Sequence, residues 1–296
     1  MTDEFSRDGR MSPLIVACLA ITWAVWGSTY LAIKFALWSF PPFFLMASRF
    51  MVAGGLLLLW TQFRARKMPT RVQWRNAALV GALMLGGGMG GTAYSEQTVP
   101  SGLVVAFIAV VPALIALANL LFGIKPSRLE VIGIGIGIAG TLLLVRGAGF
   151  SASPVGLAAI AAASICWSLG SVLSQRRLPL APGAVGFASE MICGGLCLII
   201  LSWLSGERVH GPLLPQAIWA WLYLIVFGSL IAFSAYMMLL TNTSAAIASS
   251  YSFVNPVVAL VLGIAFGGET VTRYEWMSVG IVVLGVTVLV LGRQVE

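Results

Sequence analysis

The chain has 296 residues, 59% hydrophobic and 9% charged, with a mean hydropathy of +0.97 and a formal net charge of +7. A soluble domain carries about 25% charged residues, so this composition excludes a water-exposed globule, and most of the surface must face lipid. The basic residues are dispersed in short loops rather than gathered on a polar domain, which excludes a nucleic-acid partner and points to membrane topology.

Ten apolar spans follow one another, at 12–35, 40–62, 75–95, 101–123, 129–147, 154–175, 183–205, 216–240, 244–266 and 274–292. Runs of about 20 apolar residues cross a hydrocarbon core as helices, and the alternation of barrel strands is absent. The first ten residues are net negative and the run after them is too long for a cleavable signal. Cys18, Cys166, Cys193 and Cys197 all lie within apolar spans and read as small core residues, not as disulfides or metal ligands.

Loop charge sets orientation. With the N-terminus cytoplasmic, the inner segments hold twelve basic residues: Arg7, Arg10, Arg64, Arg66, Lys67, Arg71, Arg75, Lys125, Arg128, Arg176, Arg177 and Arg293. The outer segments hold four, Lys34, Arg146, Arg208 and Arg273, and Arg49 remains inside a span. Both termini are therefore expected in the cytoplasm.

The chain repeats itself at half its length. Pro112 and Gly123 match Pro256 and Gly267 at a spacing of 144, and Arg128, Glu130, Gly135 and Gly140 match Arg273, Glu275, Gly280 and Gly285 at 145. Weaker matches join Gly27-Ser28 to Gly170-Ser171, Ala47-Ser48-Arg49 to Ala188-Ser189-Glu190, and Ala93-Tyr94 to Ala235-Tyr236. Five spans per half is an odd number, so the second half must run through the membrane upside down. The expected fold is an all-α polytopic membrane protein of ten transmembrane helices in two inverted-topology five-helix repeats, 1–150 and 151–296. This is the plan of secondary transporters, whose substrate site lies near the midplane between the halves.

Arg49 and Glu190 fall near the middles of spans two and seven. A charge there costs at least about 2.5–3.5 kcal/mol and faces a partner or a wet cavity. Two readings stand: the residues pair with each other, or they flank a cavity and meet the two ends of a zwitterion. Tyr251, Ser252 and Asn255 share one face of span nine, and Pro256 and Pro112 remove a helical hydrogen bond at matching places, marking helix breaks or hinges. The bland alternative is close helix contact and a simple kink. Trp26 and Ser28 in span one, and Trp167 and Ser171 in span six, lie closer to mid-span than an interfacial anchor would; core packing is the competing role. Tyr94 and Tyr236 complete the candidate cavity. Glu96, at the outer end of span three, reads as a gate or proton site or as a hydrated loop acid, and Glu190 is the other candidate proton site.

Gly135, Gly137 and Gly140 match G-x-G-x-x-G but lie in an apolar span, not between a strand and a helix, so no dinucleotide site is expected. The aspartates Asp3 and Asp8 are confined to the N-terminal tail, and the one histidine is His210, in an outer loop. No catalytic, metal or cofactor site is therefore expected. A channel or a membrane-embedded enzyme is the alternative of another class.

Trp26-Gly27-Ser28 with Lys34, Ala47-Ser48-Arg49-Phe50, Val111-Pro112, Tyr251 through Asn255-Pro256-Val257 and Gly267-Gly268-Glu269 together resemble the EamA family of the drug/metabolite transporter superfamily, over nearly the full length. The resemblance implies ten helices in two inverted repeats, a central cavity lined by spans one to four and six to nine, and a place in the bacterial inner membrane. It implies export of small metabolites by alternating access, amino acids foremost, with drugs or other small organic solutes as the alternative cargo. The expected partners are a small-molecule substrate and the lipid bilayer; the oligomeric state stays open, a monomer being compatible.

Overall fold

The computed structural model describes residues 12–65, 68–99, 104, 107–145, 153–209, 212–267 and 272–291. Among them every regular element is a helix, as a backbone in lipid requires when no water can satisfy its polar groups. His210, Asp3 and Asp8, the Gly268-Glu269 pair and the start of the expected fourth span lie outside the described residues.

Helix α1 (Pro13–Ala36) starts where Ser12 accepts a hydrogen bond from the Ile15 amide and Pro13 enters the first turn. Helix α2 (Pro42–Ala65) follows a short turn. Helix α3 (Arg71–Ser95) opens with a capping box between Thr70 and Gln73. Helix α4 (Val111–Leu120) ends toward Gly123, whose φ of 75° is the left-handed region glycine tolerates. Helix α5 (Arg128–Val145) has its own reciprocal cap: Glu130 N donates to Ser127 Oγ at 3.1 Å and Ser127 N to Glu130 Oε2 at 3.2 Å.

Helices α6 (Pro154–Arg176), α7 (Ala184–Leu204) and α8 (Pro215–Asn242) come next. After one helical turn at Ala245–Ala248, α9 (Tyr251–Gly267) and α10 (Arg273–Leu291) close the chain. Six of these, α1, α2, α3, α6, α7 and α8, are long and apolar enough to cross a membrane. The other four expected spans hold the shorter described helices α4, α5, α9 and α10.

Two helices widen at matching places. Ala82–Gly90 in α3 and Leu224–Ile231 in α8 form π-helix, with hydrogen bonds one residue longer than in an α-helix. The two segments begin 142 residues apart, the same spacing as Tyr94 and Tyr236. The first borders the cavity described below, and the second holds one of its rings, Trp26.

The helices pack across the two halves. Helix α1 lies on α8 and α9, and α6 lies on α3 and α4; α2 faces α7, and α5 faces α10. Glycines set the closest approaches: a Cβ on Gly81 would stand 2.7 Å from the Glu190 carbonyl oxygen, and one on Gly285 2.5 Å from the Gly137 amide. Of the glycines of α5 that match a nucleotide fingerprint, Gly137 and Gly140 thus serve contact with α10, as small residues do between membrane helices, whereas Gly135 faces open space.

Candidate functional site

Four aromatic side chains from four helices meet at the centre of the molecule. Trp26 on α1 lies 5.5 Å from Trp167 on α6, 5.0 Å from Tyr236 on α8 and 4.6 Å from Tyr251 on α9, ring centre to ring centre. Trp167 and Tyr236 are 5.2 Å apart, and Tyr236 and Tyr251 5.7 Å. Edge-to-face and tilted arrangements at these distances are favourable aromatic contacts. Helical geometry explains the convergence: each ring projects from the face of its helix that meets the opposite half.

Polar handles fix the rings. Trp26 Nε1 donates to the Gly228 carbonyl at 3.2 Å, in the widened segment of α8, where the irregular turn leaves a carbonyl within reach. Tyr236 and Ser171 hydroxyls are 2.9 Å apart, and those of Ser28 and Tyr223 2.6 Å apart. Trp167 Nε1 is directed toward the hydroxyls of Tyr236 and Tyr251 without completing a well-formed hydrogen bond.

Trp26, Trp167 and Tyr251 also border a cavity of about 40 Å³, walled by Thr29, Tyr30, Ile33, Gly88, Thr92 and Ser164 among others. That volume holds a few waters and falls far short of the several hundred Å³ of a ligand-filled site. The bundle is therefore closed around its centre in this conformation. No residue of α5 or α10 borders the cavity.

Arg49 is buried to 1% exposure. Its Nε donates to Ser229 Oγ at 2.6 Å, and its guanidinium lies 4.9 Å from the Phe50 ring centre. It presses against Gly228, where a Cβ would come within 2.8 Å of its terminal nitrogen. Arg49 thus stands directly behind the carbonyl-bearing turn that holds Trp26.

Glu190 is fully buried, and neither of its carboxylate oxygens has a hydrogen-bond partner. The ion pair with Arg49, one of the two readings of these charges, is not formed in this structure. The geometry of α2 and α7 shows why. Gly195 approaches Met51 and Gly54 approaches Met191, so the helices run antiparallel through their contact. With a rise of 1.5 Å per residue, Arg49 and Glu190 lie on the order of 10 Å apart along the helix axes, on opposite sides of that crossing.

The remaining sequence candidates are spread more widely. Tyr94 stacks on Phe43, ring centres 5.7 Å apart, away from the four central rings. Ser252 is buried but spends its hydroxyl on the Ser249 carbonyl at 2.8 Å. Asn255 donates to the Tyr30 hydroxyl at 3.2 Å, and its Oδ1 has no partner. Pro112 sits in the first turn of α4, where the missing amide costs nothing, whereas Pro256 lies inside α9. Glu96 is half-buried, yet both its carboxylate oxygens are covered and unpartnered, so the side chain turns inward.

Sequence reasoning passed over Tyr30, Thr92, Tyr223 and Ser229. Tyr30 follows Trp26 by four residues, on the same helical face, and that spacing was the available signal. Nothing in the sequence marks Ser229, whose position depends on the π-helical turn.

Apolar helices of membrane-crossing length enclosing an aromatic-lined cavity define a multi-pass membrane protein. Residues 14–146 and 154–291 match the EamA-like transporter family, and the chain belongs to that family. It is 40% identical over 288 residues to the uncharacterized inner membrane transporter YedA of Escherichia coli K12, covering 97% of this chain and 94% of that one. Protein PecM of Dickeya dadantii is 27% identical over 245 residues, covering 82% and 80%. A solved crystal structure shares the fold with a TM-score of 0.76 at 23% identity, covering 95% of this chain and 98% of that one. The chain is thus a transporter rather than an enzyme, and a multi-pass protein of the inner membrane.

Proposed function

We propose that this transporter exports small metabolites, amino acids foremost, by alternating access through the cavity between its two halves. The observation that carries this reading is the meeting of Trp26, Trp167, Tyr236 and Tyr251 beneath a closed cavity. Three of the rings come from α1, α8 and α9, which pack together, and the fourth, Trp167, comes from α6, which packs on α3 and α4. A plug assembled from both halves separates when one half rocks against the other, which is how access alternates around a fixed site.

The crosswise pairing supports the inverted arrangement, with each half one unit and both termini cytoplasmic. Helices α1 and α6 exchange their partners as positions related by an in-plane two-fold axis do, while α2–α7 and α5–α10 pair on themselves. Ser28, Arg49, Ser171 and Asn255 then support the cavity wall through Tyr223, Ser229, Tyr236 and Tyr30. Pro256 serves as a hinge inside α9, while its counterpart Pro112 opens α4. Glu96 and Glu190 are the acids available for proton coupling.

Purified protein in proteoliposomes, loaded with an unlabelled amino acid and offered the labelled one outside, tests the reading. Saturable counterflow is the expected result. Flux without counterflow indicates a channel, and no flux of any amino acid removes the leading substrate class.

A further inference from the structure

One rim of the cavity carries hydroxyls, with hydrogen-bond acceptors close behind them. Thr92 and Tyr30 border the cavity. Glu96 follows Thr92 by one helical turn, its amide bonded to the Thr92 carbonyl at 3.1 Å, so the two side chains share a face. Although Glu96 is half-buried as a residue, both its carboxylate oxygens are covered and unpartnered. The carboxylate interacts electrostatically with Tyr30 and with Lys34. Asn255, fully buried on α9, reaches the same Tyr30 hydroxyl and keeps an unpartnered Oδ1. Two elements, the end of α3 and α9, thus bring orphaned oxygens near the Tyr30 hydroxyl that α1 places at the cavity edge.

Orphaned buried acceptors are costly and call for a donor. The charged groups nearby leave that donor unsupplied. Lys34 is exposed at the end of α1 and makes no hydrogen bond to Glu96. Arg49 lies behind Gly228 and Trp26, with its Nε committed to Ser229. Tyr251 belongs to the aromatic floor. Among the described residues, no cationic side chain borders the cavity.

We propose that the cavity recognises a protonated amine, with the ammonium held by Glu96, Tyr30 and Asn255 and the apolar or aromatic body of the same molecule seated against Trp26, Trp167 and Tyr251. The inference rests on the transport cavity proposed above and narrows its cargo: the amino group is required, and a carboxylate is not. An ammonium offers three donors to fixed oxygens, and the tryptophan faces beside it favour a cation further. A free carboxylate would meet the Glu96 carboxylate there, and the nearby cation, Lys34, is exposed and not among the residues that border the cavity.

The test uses the full-length protein purified in detergent and three probes: phenylethylamine, 3-phenylpropionate and phenylalanine. Equilibrium binding of each is measured directly, without transport. Phenylethylamine and phenylalanine are expected to bind within about tenfold of each other, and 3-phenylpropionate not to bind. Glu96→Gln is expected to weaken phenylethylamine at least tenfold. Tyr30→Phe, which removes a single hydroxyl, is expected to weaken it severalfold and gives the same readout if Glu96→Gln does not survive purification. Binding of 3-phenylpropionate as tight as the amine, wild-type affinity in both variants, or no binding of either amine overturns the proposal. Amino-acid counterflow with no dependence on Glu96 or Tyr30 sinks this inference and leaves the transport reading standing. Glu96-dependent amine binding without counterflow of any probe does the reverse.

Discussion

Arg49 and Glu190 hold matching places in the two halves, sit on helices in direct contact, and do not touch. Opposite charge at equivalent positions invites the picture of a central ion pair. The antiparallel contact of α2 and α7 instead sends the two residues to opposite sides of their crossing, Arg49 to Ser229 and Glu190 to a site without a hydrogen-bond partner. Each charge therefore answers to its own surroundings. Exchanging them in Arg49→Glu/Glu190→Arg is expected to leave transport as low as in the worse single variant, because neither new charge finds a partner. Counterflow of the double variant in proteoliposomes checks this; recovery to wild-type level would mean that the pair forms in another conformation.

Removing Ser229 tests the Arg49 site itself. A hydrogen bond to a charged group contributes about 1.5–3 kcal/mol, and Ser229→Ala leaves the Arg49 Nε without its acceptor at 2.6 Å. Lower thermal stability in detergent is expected, with transport reduced as the guanidinium shifts against Gly228 and the Trp26 bond. Asn at position 229, which still offers an oxygen, is expected to recover part of both. Equal stability of Ser229→Ala and wild type would show that the bond contributes nothing.

The apolar helices and the aromatic residues of the centre were legible in the sequence, because hydrophobic length and residue type record them directly. Trp26, Trp167, Tyr236 and Tyr251 were each candidates on those grounds and come together in the structure. The widened segments Ala82–Gly90 and Leu224–Ile231 were not legible: a π-helical turn shifts the hydrogen-bond register without a fixed composition, and only the glycines of α3 hint at it. Glu96 was readable as an acid at a helix end. The inward turn of its carboxylate is a rotamer choice, set by packing that no single span contains.

The aromatic plug separates stability from function by two substitutions at one position. Trp26→Ala opens a void at a residue 3% exposed and removes three ring contacts, an expected loss of about 3–5 kcal/mol. Trp26→Phe keeps a ring in place and loses the bond to the Gly228 carbonyl, worth about 1 kcal/mol. Thermal unfolding in detergent is expected to rank wild type, Phe and Ala in that order. Counterflow is expected to fall in Phe by more than its small stability loss explains, since under the alternating access proposed above the plug closes and opens at each turnover. Full activity in Trp26→Phe would reduce Trp26 to packing.

Ser171 offers a further distinction. Its hydroxyl bonds the Trp167 carbonyl and meets the Tyr236 hydroxyl at 2.9 Å, with all three residues buried. Ser171→Ala strands the Tyr236 hydroxyl in an apolar setting, at a cost of about 1–3 kcal/mol. Tyr236→Phe on the same background removes the stranded group, so the double variant is expected to be more stable than Ser171→Ala alone. A double-mutant cycle of unfolding midpoints measures that coupling; additive losses would mean that the two hydroxyls do not interact.

The inverted arrangement makes a prediction about sidedness. Gln97 lies just beyond α3 and is exposed, as is Arg176 at the end of α6. If the two halves run oppositely, the end of the third helix of the first half and the end of the first helix of the second half face opposite compartments. In a background with Cys18, Cys166, Cys193 and Cys197 replaced by serine or alanine, Gln97→Cys is expected to react with a membrane-impermeant maleimide added to intact cells. Arg176→Cys is expected to react only after permeabilisation. The basic residues clustered at the Arg176 end favour the cytoplasm on the same grounds. Labelling of both positions from one side would be incompatible with an odd number of spans between them, and with it the inverted repeat and the rocking mechanism built on it would fall.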